Sequence, residues 1–127
     1  MPRKGAYFRH PASVNQELGK RGEELAAAFL QRAGLEILDR NWRCAAGEID
    51  LLVRDCATVA AIEVKTRTTS RTGHPLEAIT PRKLHRLHLL LRMWVNEKEV
   101  RGYDRLRVDG LAITLLPQVF IDYRKGI

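Results

Sequence analysis

A chain of 127 residues, 45% of them hydrophobic, has room for one ordinary domain around a single core and is too aliphatic to be disordered. Twenty-two Lys and Arg against fifteen Asp and Glu leave a net charge of +7, which favours nucleic acid over anionic membrane as a partner. Cys44 and Cys56, without paired C-x-x-C spacing, make a poor zinc site, and the longest apolar run, residues 87–95, is too short to span a bilayer.

In chain order, residues 1–12 are basic, contain Pro2 and Pro11 and lack periodicity. They read as a flexible arm ahead of a single domain over residues 13–127. Residues 1–10 have no apolar stretch of the signal-peptide kind, so a cytoplasmic protein with reduced cysteines is expected. Ser13 and Gln16 form a capping-box pattern, and apolar residues then recur at helical spacing to Gly34. A first helix is predicted over residues 14–33.

Strands are predicted over residues 35–41, 48–54 and 58–66, the last two close enough to form a hairpin. In the first of them Leu35, Ile37 and Asp39 fall on one face. A polar loop follows over residues 67–79, and its Gly73-His74-Pro75 segment reads as mobile. Thr80 as N-cap and Pro81 at the first helical position open a second helix that ends near Lys98. Trp42 and Trp94 read as core residues. Strands over residues 106–115 and 119–123 complete the order αβββαββ, a mixed sheet with helices packed on it.

The hairpin carries charges where apolar residues would be expected. Alternation puts Glu48, Asp50 and Leu52 on one face of its first strand, and Ala61, Glu63 and Lys65 on one face of its second. With Cys56 and Ala57 as the turn, Asp55 falls opposite Thr58, Asp50 opposite Glu63, and Glu48 opposite Lys65. Opposed carboxylates repel, so a cation is needed. Lys65 can serve, and so can a hard divalent ion such as Mg²⁺, which one or two carboxylates plus substrate phosphates usually hold. The alternative is a salt-bridged hairpin in which Glu48 pairs with Lys65 and Asp50 is solvated.

Asp50 followed by Glu63-Val64-Lys65 resembles the PD-(D/E)-x-K signature of restriction-endonuclease-like nucleases. G-E-I-D-L-L and E-V-K-T-R, preceded by Gly19-x-x-Gly22-Glu23, more narrowly resemble the YraN family of small bacterial proteins, itself similar to archaeal Holliday-junction resolvases. The resemblance spans residues 18–113. It implies a restriction-endonuclease-like α/β fold and hydrolysis of DNA phosphodiesters, with branched DNA as the substrate.

By that resemblance Asp50 and Glu63 are ligands for Mg²⁺ or Mn²⁺, the backbone carbonyl of Val64 is a third, and Glu23 joins the metal site. Glu48 is either a further ligand or a partner that holds Lys65. Lys65 orients or deprotonates the attacking water, or stabilises the charge developing on the phosphorane. Ile49 stands where the signature has proline, and Arg107-Val108-Asp109 where the family usually has Arg-Phe-Asp. Arg67, Arg71, Arg82 and Lys83 are candidates for DNA phosphates, Lys83 foremost because it opens a helix. The two-fold symmetry of a junction would suit a homodimer. A non-catalytic nucleic-acid-binding module with the same fold is the alternative function.

Overall fold

The structure, a computed structural model, describes residues 11–70 and 73–127. Among these the chain forms α1 (Pro11–Arg32), β1 (Glu36–Cys44), β2 (Gly47–Asp55), β3 (Thr58–Arg67), a 3-10 turn (Pro75–Ala78), α2 (Pro81–Glu97), β4 (Arg105–Thr114) and β5 (Phe120–Arg124). The sheet runs β1-β2-β3-β4-β5, antiparallel except where α2 carries the chain over to make β4 parallel to β3. This mixed α/β architecture agrees with the fold class and element order expected from the sequence.

Helix α1 begins three residues before its expected start. Pro11 and Ala12 belong to it, and Ser13 lies within it instead of capping it. The rest of the expected arm, residues 1–10, lies outside the described residues. The helix ends as expected. Gly34 takes φ +93°, its N–H donates to the Gln31 carbonyl, and the Leu35 N–H donates to Leu30. Helix α2 opens with the Thr80 hydroxyl accepting from the Lys83 N–H at 3.1 Å and ends against Lys98.

The helices cover opposite faces of the sheet. Ala26, Ala27 and Leu30 of α1 pack on Leu51, Val53, Ala60, Ile62, Leu111 and Ile113. Leu87, Leu91 and Trp94 of α2 pack on Leu52, Val59, Ala61 and Val108. Both tryptophans are buried, and their indole N–H groups are satisfied. Trp42 donates to Glu97 at 3.1 Å and Trp94 to Asp39 at 2.9 Å. Asp39 therefore reaches the α2 side and does not share a face with Leu35 and Ile37. The register shift between Ile37 and Asp39 inserts Leu38 and turns the strand over.

The first helix lies very close to β3 at one point. A Cβ added at Gly22 would sit 2.8 Å from the Thr66 Cβ and closer still to its hydroxyl. Only glycine permits this approach, which brings the next residue, Glu23, to the end of the sheet. At the β2–β3 turn Cys56 takes φ +55°, a conformation that penalises a side chain.

Two stability changes follow. Gly22→Ala should destabilise the protein by about 1–3 kcal/mol in urea unfolding, and Thr66→Ala in the same chain should recover part of the loss. Cys56→Gly should be neutral to stabilising, by up to about 1 kcal/mol; a clear loss of stability would show that the thiol makes compensating contacts.

Candidate functional site

The hairpin register is the expected one as far as it runs. Asp55 faces Thr58, and the pairing continues without a slip to Leu51 and Ile62. There the ladder ends, one residue short of Asp50 and Glu63. The Val64 N–H donates instead to the Asp50 carboxylate at 2.8 Å. Side-chain alternation breaks at the same place. Ile49 belongs to the core under α2, whereas Leu51 belongs to the core under α1. On the neighbouring strand Asn41 takes φ +49°, which asparagine tolerates better than most residues. The strands thus fork around Asp50.

The fork opens into a cleft of about 540 Å³, lined by Glu48, Asp50, Glu63, Val64 and Lys65 from the sheet and by Thr80, Arg82, Lys83 and Arg86 from the start of α2. Glu63 is buried. Its Oε2 lies 2.7 Å from the Lys83 Nζ and 3.4 Å from the Lys65 Nζ. Glu23 reaches the same place from α1, within hydrogen-bonding reach of Asn41 and of Asp50 itself.

The electrostatics of this cluster are unfavourable to negative charge. Burial, then the charge of Glu63, push the Asp50 carboxyl up to about 7, with Glu23 and Glu48 adding to the effect and the Val64 N–H opposing it. Burial also raises Glu23, helped by Glu48 and opposed by its hydrogen bonds to Asn41 and Asp50. Lys65 is lowered by burial and by its neighbour Lys83, against the pull of Glu63. Lys83 is raised despite its burial, by hydrogen bonds to Glu63 and Lys65.

Of the residues singled out in the sequence, Asp50, Glu63, Lys65, Glu23, Val64 and Lys83 meet at the fork. Glu48 lines the cleft but does not hold Lys65. It is paired across the strands with Arg43 at 3.3 Å and is exposed, because the ladder that would have set it opposite Lys65 has ended. Arg82 is exposed at the cleft wall. Arg67 donates to the Thr114 hydroxyl at 2.9 Å and to the Gly73 carbonyl at 2.7 Å, tethering the loop after β3. Arg71 lies outside the described residues.

The loop expected to be mobile is further fastened at His74. Its Nδ1 accepts from the Leu76 N–H, so Nε2 carries the proton and donates to Asp122 at 2.6 Å. Two site contacts escaped the sequence reading. These are the Asn41 contact to Glu23 and the Lys83 ion pair with Glu63. Asn41 gave no distinct signal for the first, since its strand also carries Glu36, Asp39, Arg40 and Arg43.

Asp50 makes a pH dependence. Its carboxyl is raised in the folded chain, so its contribution to stability is full below about pH 4 and is lost as pH rises through about 7. Carrying the group from 3.8 to about 7 corresponds to a penalty of about 4 kcal/mol at most. Asp50→Asn keeps an acceptor for Val64 and removes that penalty. In EDTA the variant should gain on the wild type progressively between pH 4 and 8 in urea unfolding. A difference that does not change with pH would refute this account of Asp50.

The whole fork lies within a stretch that matches a known family. The model of the uncharacterised protein family UPF0102 matches residues 22–113. A UPF0102 protein of Arthrobacter sp. (strain FB24) is 49% identical over 96 residues, covering 76% of this chain and 80% of its own. One from Nocardia farcinica is 43% identical over 114 residues, covering 88% and 89%. One from Nocardioides sp. is 42% identical over 118 residues, covering 91% and 94%. The chain belongs to the UPF0102 family, the YraN family that its hairpin and first-helix motifs resemble.

Proposed function

We propose that the chain is a metal-dependent phosphodiesterase acting on DNA, with branched DNA as the substrate that its resolvase-like motifs suggest. The observation that carries this reading is the convergence of Asp50, Glu63 and Lys65 where the β2–β3 ladder opens into a cleft. Burial, and after it the charges of the neighbouring carboxylates, raise Asp50 to about 7, so a cation placed against it would be favoured. The cleft walls supply cations in Arg82, Lys83 and Arg86, which suit a polyanion.

The donor set fits a hard divalent cation. Among the described residues, carboxylate oxygens line the cleft and neither a thiol nor an imidazole does. Among the described residues there is no group of three or more His, Cys, Asp and Glu side chains that could hold a metal unaided. Two carboxylates with water and a substrate phosphate are the usual complement for Mg²⁺. Asp50 and Glu63 would hold Mg²⁺ or Mn²⁺, with the Val64 carbonyl as a third donor and Glu23 fixing the orientation of Asp50. Such an ion supplies activation of a water molecule and stabilisation of charge on the phosphate.

The rest falls to the chain's own groups. Lys65, lowered by burial and by Lys83, is suited to take the proton from the attacking water. Arg82 and Arg86 would hold flanking phosphates. Two copies of the chain would be needed to cut both strands of a symmetric junction.

The alternative, a nucleic-acid-binding module that cleaves nothing, draws support from Lys83, which already neutralises Glu63. Labelled four-way junction, flap, single-stranded and duplex DNA incubated with Mg²⁺ or Mn²⁺ separate the two. Cleavage should fall roughly 10²-fold or more in Asp50→Ala and in Lys65→Ala. Activity that survives both substitutions overturns the mechanism. DNA retained without cleavage of any substrate favours the binding module.

A further inference from the structure

Lys83 stands apart from the other cations of the cleft. It is not part of the E-x-K segment, since it reaches the fork from the first turn of α2. That turn is fixed by the Thr80 cap on its own backbone N–H, so the lysine is delivered by a rigid element. Its Nζ lies 2.7 Å from Glu63 Oε2, closer than the 3.4 Å of Lys65. The carboxylate it contacts is buried, while its own side chain is 39% accessible. The Lys83 ammonium is thus on Glu63 while its side chain lines the open cleft.

Glu63 Oε2 already has the Lys83 ammonium at 2.7 Å and that of Lys65 at 3.4 Å, so a divalent ion at this oxygen would be repelled most by the nearer one. A long, flexible ammonium can leave, and it has somewhere to go. Lys83 shares its wall of the cleft with Arg82 and Arg86, where a polyanion would lie.

We propose that Lys83 is an internal counter-ion that occupies Glu63 in place of a divalent cation and transfers to a DNA phosphate when that cation binds, which couples metal loading to DNA binding. This inference rests on the metal site proposed above. It requires no change of protonation, since the ammonium stays charged in both positions. Metal and DNA then each favour the other, because each takes up one end of the same exchange.

Mn²⁺ binding to the DNA-free protein, followed by the electron paramagnetic resonance signal of the free ion, tests the first half. Lys83→Met should bind Mn²⁺ about 10-fold or more tightly than the wild type, and Lys83→Arg should return the affinity toward the wild-type value. Equal or weaker binding by Lys83→Met beside measurable wild-type binding overturns the inference and leaves the metal site standing. No Mn²⁺ binding by either protein, with both folded by circular dichroism, overturns the metal site and the inference with it.

The salt dependence of binding to a four-way junction tests the second half. With Ca²⁺ present, the wild-type slope of log affinity against log salt should exceed that of Lys83→Met by about 1, and in EDTA the two slopes should coincide. A slope difference that persists unchanged in EDTA would mean that Lys83 contacts phosphate whether or not the metal is bound, and would overturn the coupling.

Discussion

A single hydrogen bond organises the end of the sheet that holds the candidate site. The Val64 N–H would ordinarily donate to a backbone carbonyl across the sheet, and it donates instead to the Asp50 carboxylate. A side chain has taken the place of a ladder rung. Because the bond is made to a carboxylate, the N–H is satisfied and the strands are free to part. The cleft, the break in alternation at Ile49 and the exposure of Glu48 all follow from that substitution. Extend the ladder by one regular pair and Asp50 would face Glu63 with no room between them.

The two helices matter because each brings one charge to the fork. Helix α1 can approach only because Gly22 has no side chain to meet Thr66, and the approach sets Glu23 beside Asp50. Helix α2 is anchored at Thr80, and the anchor sets Lys83 on Glu63. The sheet contributes carboxylates and a lysine, one layer contributes another carboxylate, and the other layer contributes the cation that balances them. The loop between β3 and α2 is held by Arg67 on one side and by His74 on the other, which fixes where α2 begins relative to the fork.

Much of this was legible in the sequence, for reasons that can be named. The register followed from a two-residue turn at Cys56 and Ala57, since a hairpin's turn sets every pair that follows. The start of α2 followed from Thr80 and Pro81, and the end of α1 from Gly34, because each of these residues has a backbone preference strong enough to act locally. What was not legible was where the rule of alternation stops. Counting along the strands set Glu48 opposite Lys65, yet Glu48 lies with Arg43. Local preference could not show this, because the ladder ends through a contact between Asp50 and Val64, fourteen residues apart. The same holds for Lys83, whose partner Glu63 lies on another element. Asp39 misled for a related reason: one inserted residue, Leu38, reverses the face of everything after it.

The molecule also contains its own standard for what a structural carboxylate looks like. Asp109 on β4 is fully buried, more so than Asp50. Arg107 donates to its Oδ1 from Nε at 2.7 Å and to its Oδ2 from Nη2 at 2.9 Å. The Tyr123 hydroxyl and the Gly126 N–H complete the set, and this ties down the C-terminal residues. Every requirement of a buried anion is met there by a fixed donor. Asp50 has one backbone donor, with Glu63, Glu23 and Glu48 close enough to oppose its charge. The same sheet can therefore satisfy a buried carboxylate when stability is the only demand, as it does at Asp109. At Asp50 it leaves the demand open and supplies instead a cleft lined by Lys65 and Lys83. A destabilised group maintained beside a well-satisfied one of the same type is the pattern expected where a site is built to receive a charge from outside the chain.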